Sequence, residues 1–277
     1  MRFAAQNKSF EDMQFVKLHD NDWFKKQQFA GWMVQECLIV AEAMMGDSDN
    51  LSLKYINDEL ERCILWEKCT PTFKGYQGFP AAVCISVNEN MVHGIPNDYI
   101  LKPGDIVKVD LGATCDGVIA DAAKTFIYTG RGKSPVDVAS QTDIELVKAC
   151  EKALQVGIDA VQIGNTIGQI GYAISRYVSS TNFKLITHYG GHGLDVNKPH
   201  ASPFVSNKAR VDEGIIIQPG LSIAIEPMLV AGPTDQTKVL KDGWTVQASG
   251  KSAHFEHTLF VGEDKVHVMT AITEEPV

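Results

Sequence analysis

One segment limits the possible folds more than any other. Residues 106–128 read IVKVDLGATCDGVIADAAKTFIY, two apolar-rich runs around Asp116-Gly117. Asp-Gly favours a two-residue type I′ turn, which closes a β-hairpin. With those residues as the turn, paired positions sum to 233, so Asp110 faces Ala123 and Asp121 faces Gly112. Side chains alternate along a strand, so Asp110 and Asp121 lie diagonally on one face, with backbones roughly 7–8 Å apart. Two carboxylates aimed at one place repel, and a cation between them or a shared proton relieves the repulsion. The plain alternative is two solvated acids on an exposed strand face. The apolar settings VKVDLG and IADAA weigh against it.

The rest of the chain arranges itself around this hairpin. After Asn21-Asp22, good capping residues, Phe29, Met33, Cys37, Val40 and Met44 recur at helical steps. A second helix reads through Leu53, Ile56, Leu60 and Ile64. Turn-rich GYQGFP (75–80), a strand at 83–87 and HGIP (93–96) lead into the hairpin. Ser134-Pro135 resembles a helix start. Ile144, Val147, Cys150 and Leu154 mark one further helix, and Ile167, Ile170, Ile174 and Val178 another. A Gly/His loop, THYGGHG (187–193), precedes two strands at 221–230 and 252–261. Each half thus reads helix, helix, histidine loop, antiparallel strands. The expected fold class is α+β: two pseudo-symmetric halves sharing one core, with a site at their junction.

The second half offers its own acids. Glu226 ends the apolar run SIAI before a proline, and Glu256 stands between Phe255 and His257. Glutamates in such strands are unusual without a partner, and an ion pair or a bound metal would each supply one. His192, between Gly191 and Gly193, adds a nitrogen where backbone can approach closely. A lone histidine in a glycine loop is more often structural, and His192 gains weight from the acids.

Composition narrows the function classes. The net charge is −9, against a general nucleic-acid footprint. No run approaches the roughly 20 apolar residues of a membrane span, and residues 1–15 lack a signal-peptide core. The six cysteines show no CxxC spacing, which argues against a disulfide framework or zinc finger and fits a reducing cytoplasm. TGRGKS (129–134) is not a phosphate loop, because Ile127 stands where a P-loop needs glycine.

Taken together, CISVNENMVHGIP (84–96), residues 105–126, GGHG with IEPM (190–193 and 225–228) and DGWTVQASGKSAHFEHT (242–258) resemble the type I methionine aminopeptidases of the pita-bread fold. The resemblance runs from about Asn21 to the C-terminus. It implies an N-terminal extension over 1–20 and a single catalytic domain over 21–277. It implies five metal ligands: Asp110 on one ion, His192 and Glu226 on the other, Asp121 and Glu256 bridging. Such a donor set suits two divalent ions drawn from Co, Mn, Fe(II) or Zn. The implied reaction is hydrolytic removal of initiator methionine before a small second residue, by a metal-activated hydroxide. Glu226 would carry the proton. His93 and a second outer histidine would steady the peptide and the oxyanion.

That second histidine departs from the family pattern. The family places it seven residues after the ligand histidine, but position 199 is proline and His200 comes eight after His192. The role passes to His200 if the loop carries a one-residue insertion. The family's aromatic residue before it is absent. Tyr76, Phe79, Cys84 and Trp244 are implied as the methionine pocket, where aromatic and sulfur groups suit a thioether. Ordinary packing is the alternative for Phe79, and Cys84 is expected as a wall, not a nucleophile. His188, His254 and His257 are expected to be structural or supporting.

The resemblance further implies nascent polypeptide N-termini as partners, met at the ribosome. It implies no nucleic acid, no membrane, a monomer and a cytoplasmic location. The type II insertion and a ribosome-docking domain are not seen in the sequence. An Xaa-Pro peptidase of the same fold would be expected to carry a larger N-terminal domain. A binding module that has lost its ligands is disfavoured because all five ligand positions are filled.

Overall fold

The computed structural model describes residues 16–66, 69–271 and 276. Most of the expected 1–20 extension, residues 1–15, lies outside the described residues. The chain order is α1 (Asn21–Asp47), α2 (Leu53–Trp66), β1 (Thr70–Pro71), β2 (Cys84–Val87), β3 (Asn90–Val92), β4 (Ile106–Cys115) and β5 (Val118–Ile127). The second half runs α3 (Pro135–Val138), α4 (Gln141–Asp159), α5 (Gly168–Val178), β6 (Lys184–Leu185), β7 (Gly190–Asp195), β8 (Lys198–Ser206), β9 (Ser222–Ile225) and β10 (Met228–Ala231). It ends with β11 (Thr237–Val239), β12 (Val246–Ala248), β13 (Lys251–His254), β14 (His257–Val261) and β15 (Val266–Val268).

The β4–β5 hairpin has the register the sequence dictates. Asp110 pairs with Ala123 and Gly112 with Asp121. Asp116 and Gly117 take φ of 50° and 78°, as a type I′ turn requires. On β4's other edge lie β1 and β2, with Cys84 opposite Asp110. In the second half, a sheet ordered β15-β14-β9-β7-β8 stands beside the smaller β13-β10-β6 set. The halves join where Ala123 and Glu256 exchange backbone hydrogen bonds of 3.3 and 2.9 Å.

Helices cover each half. Leu53, Ile56, Leu60 and Ile64 of α2 are buried as expected, each contributing about 1.5–3 kcal/mol by burial. On α1, Met33 and Cys37 are buried as expected and Phe29 and Met44 are half-buried against the core, but the stripe is wider and turned towards smaller residues. Ala30, Met33, Val34, Cys37, Ala41 and Met45 are inside, whereas Val40 is exposed. Small residues win this face because the helix lies close to its neighbours. A Cβ on Gly31 would come within 2.0 Å of the Met269 carbonyl oxygen. The cap of α1 is Asp20, whose carboxylate accepts from the Trp23 amide, not the Asn21-Asp22 pair. Buried Gln27 donates to the Ile119 carbonyl and to Ser222 Oγ, both at 2.8 Å, tying α1 to both halves.

Two further expectations are corrected. The runs 221–230 and 252–261 are each two strands, broken at Glu226-Pro227 and at Phe255-Glu256. The chain leaves one sheet and enters the next at those acids, a change of sheet that apolar patterning does not reveal. The Gly/His stretch is not a loop at its end: Gly190–Asp195 is strand β7. Among the cysteines, Cys69 and Cys115 form a disulfide, although the spacing spoke against a disulfide framework. Thr70 pairs with Thr114, which sets Cys69 opposite Cys115 with Cα atoms 4.5 Å apart. Among the described residues no helix is long and apolar enough to cross a membrane.

Candidate metal centre

One cavity at the junction of the halves, ≈ 470 Å³ counting its open mouth, gathers all eleven expected site residues. Asp110, Asp121, His192, Glu226, Glu256, His93, His200, Tyr76, Phe79, Cys84 and Trp244 all line it, and Phe73 joins them. Larger hollows elsewhere, such as the one between α1 and α4, hold none of these residues.

Backbone geometry explains how each ligand candidate is held. Asp121 sits mid-β5, its amide accepted by Thr258 Oγ1 and its carbonyl accepting from the same hydroxyl, both at 2.8 Å. His192 sits on β7 between glycines that the packing demands. A Cβ on Gly191 would meet the Ala224 carbonyl oxygen at 2.0 Å, and one on Gly193 the Ser202 oxygen at 2.1 Å. Glu226 occupies the break between β9 and β10, where Asn207 Nδ2 donates to its carbonyl at 3.1 Å. Glu256 occupies the matching break between β13 and β14 and carries the backbone bridge to Ala123.

The side chains converge. One donor atom each from Asp121, His192 and Glu256 lie within 4.8 Å of one another. His192 Nε2 stands 3.8 Å from Glu226 Oε1 and 3.7 Å from Glu256 Oε1. Asp110 Oδ1, Asp121 Oδ1 and Glu256 Oε1 are buried and make no hydrogen bond. No lysine or arginine pairs with these acids among the described residues. Burial, reinforced by the Asp121 charge, holds the Asp110 carboxyl well above the usual range. Burial pushes Asp121 up to about 7. Glu226 and Glu256 are raised by burial and then by their acidic neighbours. Burial lowers His192 to about 3, leaving it a neutral imidazole. Crowded carboxylates with orphaned oxygens beside a neutral imidazole form a donor set that fits divalent cations, which reverse the cost of that charge.

The flanking histidines come from distorted backbone. His93 has a left-handed φ of 57°, a conformation uncommon for a residue with a side chain. It is imposed by Gly94, whose carbonyl accepts from the Ile85 amide at 2.9 Å and whose amide donates to Ser86 Oγ at 3.0 Å. A Cβ on Gly94 would strike the Ile85 oxygen at 2.3 Å, so HGIP needs its glycine. His93 is driven down to about 4 by burial and stays neutral. His200 stands on β8 at the exposed mouth, its ring edge-on to His192 with centroids 4.5 Å apart. Its Nδ1 is 3.3 Å from the Tyr76 hydroxyl. The β7–β8 pairing shifts register at His192/Gly193 and again at Gly193/Asp195.

The pocket wall combines Phe79 and Trp244, edge-to-face at 5.1 Å, with Phe73 and Cys84. Burial raises the Cys84 thiol well above its ordinary value, and the nearby acids raise it further. Phe73 was missed by the sequence reading, though it shares the loop of Tyr76 and Phe79. His188, taken as structural, hydrogen-bonds Thr237 Oγ1 at 2.7 Å, and His257, likewise, Thr270 Oγ1 at 2.8 Å.

Two like halves that place buried acids and an imidazole at their junction define a metallopeptidase architecture. The model of metallopeptidase family M24 matches residues 29–263. A methionine aminopeptidase 1 of Bacillus subtilis (strain 168) is 36% identical over 224 residues, 80% of this chain and 86% of its own length. The crystal structure of methionine aminopeptidase from Rickettsia prowazekii superposes with a TM-score of 0.85 at 32% identity, covering 92% of this chain and 100% of that one. A prolidase from Pyrococcus furiosus shares the fold alone, with a TM-score of 0.71 at 16% identity, 93% of this chain and 66% of that one. The chain belongs to metallopeptidase family M24, and within it to the methionine aminopeptidases.

Proposed function

We propose that this chain removes N-terminal methionine from new proteins by metal-dependent hydrolysis, with Asp110, Asp121, His192, Glu226 and Glu256 holding two divalent ions. The observation that carries the ligand assignment is the cluster of buried acids at the junction cavity, where Asp110 Oδ1, Asp121 Oδ1 and Glu256 Oε1 make no hydrogen bond. Bound there, divalent ions would supply Lewis acidity and an acidified water.

The protein's own residues do the rest. Phe79, Trp244, Phe73 and Cys84 enclose the apolar methionine side chain and exclude water. A small second residue in the substrate is part of this reading. Neutral His93 donates a ring N–H to the scissile carbonyl as negative charge develops on its oxygen, and His200 holds the peptide from the mouth. The Glu226 carboxylate, held at the break between β9 and β10, takes a proton from the attacking water and returns it to the leaving amine. Protein N-termini emerging from synthesis are the implied substrates.

The test is methionine release from Met-Ala-Ser by metal-free protein titrated with Mn, Co, Fe(II) or Zn, with Met-Pro and Ala-Pro peptides alongside. Metal-dependent release from Met-Ala-Ser is expected, reduced at least about 100-fold in Asp110→Asn. Cleavage of Ala-Pro alone would move the activity to the Xaa-Pro class. Full activity of the metal-free protein would overturn the reading.

A further inference from the structure

Among the described residues, His254 is a ring that reaches the acid cluster but is used by neither the substrate contacts nor the five-ligand set. It is 1% exposed, and neither ring nitrogen makes a hydrogen bond. Its Nε2 nevertheless lies 3.2 Å from Glu226 Oε2. One donor atom each from Glu226, His254 and Glu256 lie within 4.8 Å of one another, a second trio sharing Glu256 with the Asp121–His192 trio. Glu226 thus turns one oxygen towards His192 and the other towards His254.

The spacing suits ligation better than a hydrogen bond. Metal–nitrogen and metal–oxygen bonds of about 2.0–2.2 Å put neighbouring donor atoms roughly 2.9–3.5 Å apart around one ion. A donor pair at 3.2 Å without hydrogen-bond geometry falls in that range. The ring is also placed from both halves. His254 pairs with Met228 of β10, its amide donates to Thr125 Oγ1 at 2.9 Å, and its carbonyl accepts from that hydroxyl at 2.6 Å. His254 closes β13 and Glu256 lies in the break just after it, so the two reach the same trio of donor atoms.

We propose that His254 is a sixth ligand of this metal centre, giving it a second nitrogen donor beside Glu226 and Glu256. The proposal rests on the reading of the cavity as a metal centre. Two imidazoles among four carboxylates shift the preference towards Zn, Co and Fe(II) and away from Mn.

The experiment titrates metal-free wild type, His254→Gln and His254→Ala with Co(II), anaerobically, by calorimetry and visible absorption. Both variants are expected to lose affinity about 10–100-fold at one site and to show an altered Co(II) d–d band. Glutamine can still hydrogen-bond Glu226 but is a poor replacement for an imidazole ligand. If His254→Gln keeps wild-type affinity and spectrum while His254→Ala does not, His254 acts by hydrogen bonding and the proposal fails. It also fails if both variants match wild type. Should the variants not fold, the Co(II)-loaded wild type decides by proton NMR. Two strongly shifted imidazole N–H resonances support the proposal, and one overturns it. Wild type that binds no Co(II), Mn or Zn at all would overturn the metal centre itself, an outcome distinct from the others.

Discussion

His93 and His200 differ in how they are held. His93 is fixed by a strained backbone and by Gly94 against β2. His200 leans on the Tyr76 hydroxyl at the mouth. A fixed neutral donor aimed at a developing oxyanion contributes mainly to the chemical step. His93→Ala is therefore expected to lower kcat about 10²–10³-fold with metal content unchanged, measured by steady-state kinetics beside elemental analysis. His200→Ala should raise KM for tripeptides as well, and Tyr76→Phe should reproduce part of that rise. Equal kcat in His93→Ala and wild type would remove His93 from the chemistry. Cys84 keeps its proton because burial and the nearby acids oppose a thiolate, so Cys84→Ser should retain metal-dependent turnover. At this scale the sequence was eloquent. Each expected site residue lines one cavity because the motifs carrying them are short and locally constrained. Phe73 and the reach of His254 escaped, since both depend on where a neighbouring chain segment passes.

The elements show why some of the architecture was legible and some was not. A hairpin with an Asp-Gly turn sets its own register, so the Asp110–Ala123 and Gly112–Asp121 pairs follow from residues 116 and 117 alone. The breaks at Glu226-Pro227 and Phe255-Glu256 depend on contacts between sheets, which no local pattern encodes. The same holds for the Cys69–Cys115 disulfide, which needs the β1–β4 pairing to bring its cysteines together. Strand β7 read as a loop because glycine weakens strands in general. Here its glycines admit the neighbouring backbone instead. Gly191→Ala should force β7 away from the Ala224 carbonyl and displace His192. We expect a loss of about 1–3 kcal/mol in thermal or denaturant unfolding, with weakened metal binding in the folded fraction. Gly46→Ala, on an open stretch of α1 with nothing within 4 Å of its Cβ, is the control and should be neutral or slightly stabilising. Equal stability and metal affinity in Gly191→Ala and wild type would refute this account of the glycines.

Across the whole molecule, the site is a joint. Asp110 and Asp121 come from the first half, and His192, Glu226 and Glu256 from the second. Cations shared among them would therefore hold the halves together as well as serve chemistry. An ion at 100 times its dissociation constant adds about 2.7 kcal/mol per site, which for a chain of this size raises Tm by roughly 5–10 °C. The gain should depend on pH, with a sign set by the carboxyl shifts. In the metal-free protein Asp121 titrates at about 7, and Asp110, Glu226 and Glu256 are also raised. A carboxyl whose folded pKa exceeds its unfolded value contributes stability below the unfolded value and loses it as pH rises through the folded one. His192 and His254, both lowered to about 3, act oppositely, but only below their unfolded value of 6.5. Buried Lys108, lowered to about 7, also opposes the acids above that pH, with one proton against four carboxyls. Metal binding requires the acids deprotonated and so displaces their protons at low pH. The Tm gained on adding saturating metal should accordingly be small at pH 5.5 and grow steadily to pH 8. Lys108, whose Nζ donates to the Asn88 carbonyl, is common to the metal-free and loaded protein, so comparing the two at each pH sets most of its contribution aside. Asp121→Asn removes one titrating carboxyl and should flatten the rise. A metal-induced Tm gain that is constant from pH 5.5 to 8, or that falls, would mean the acids at the junction are not the groups that bind the ions.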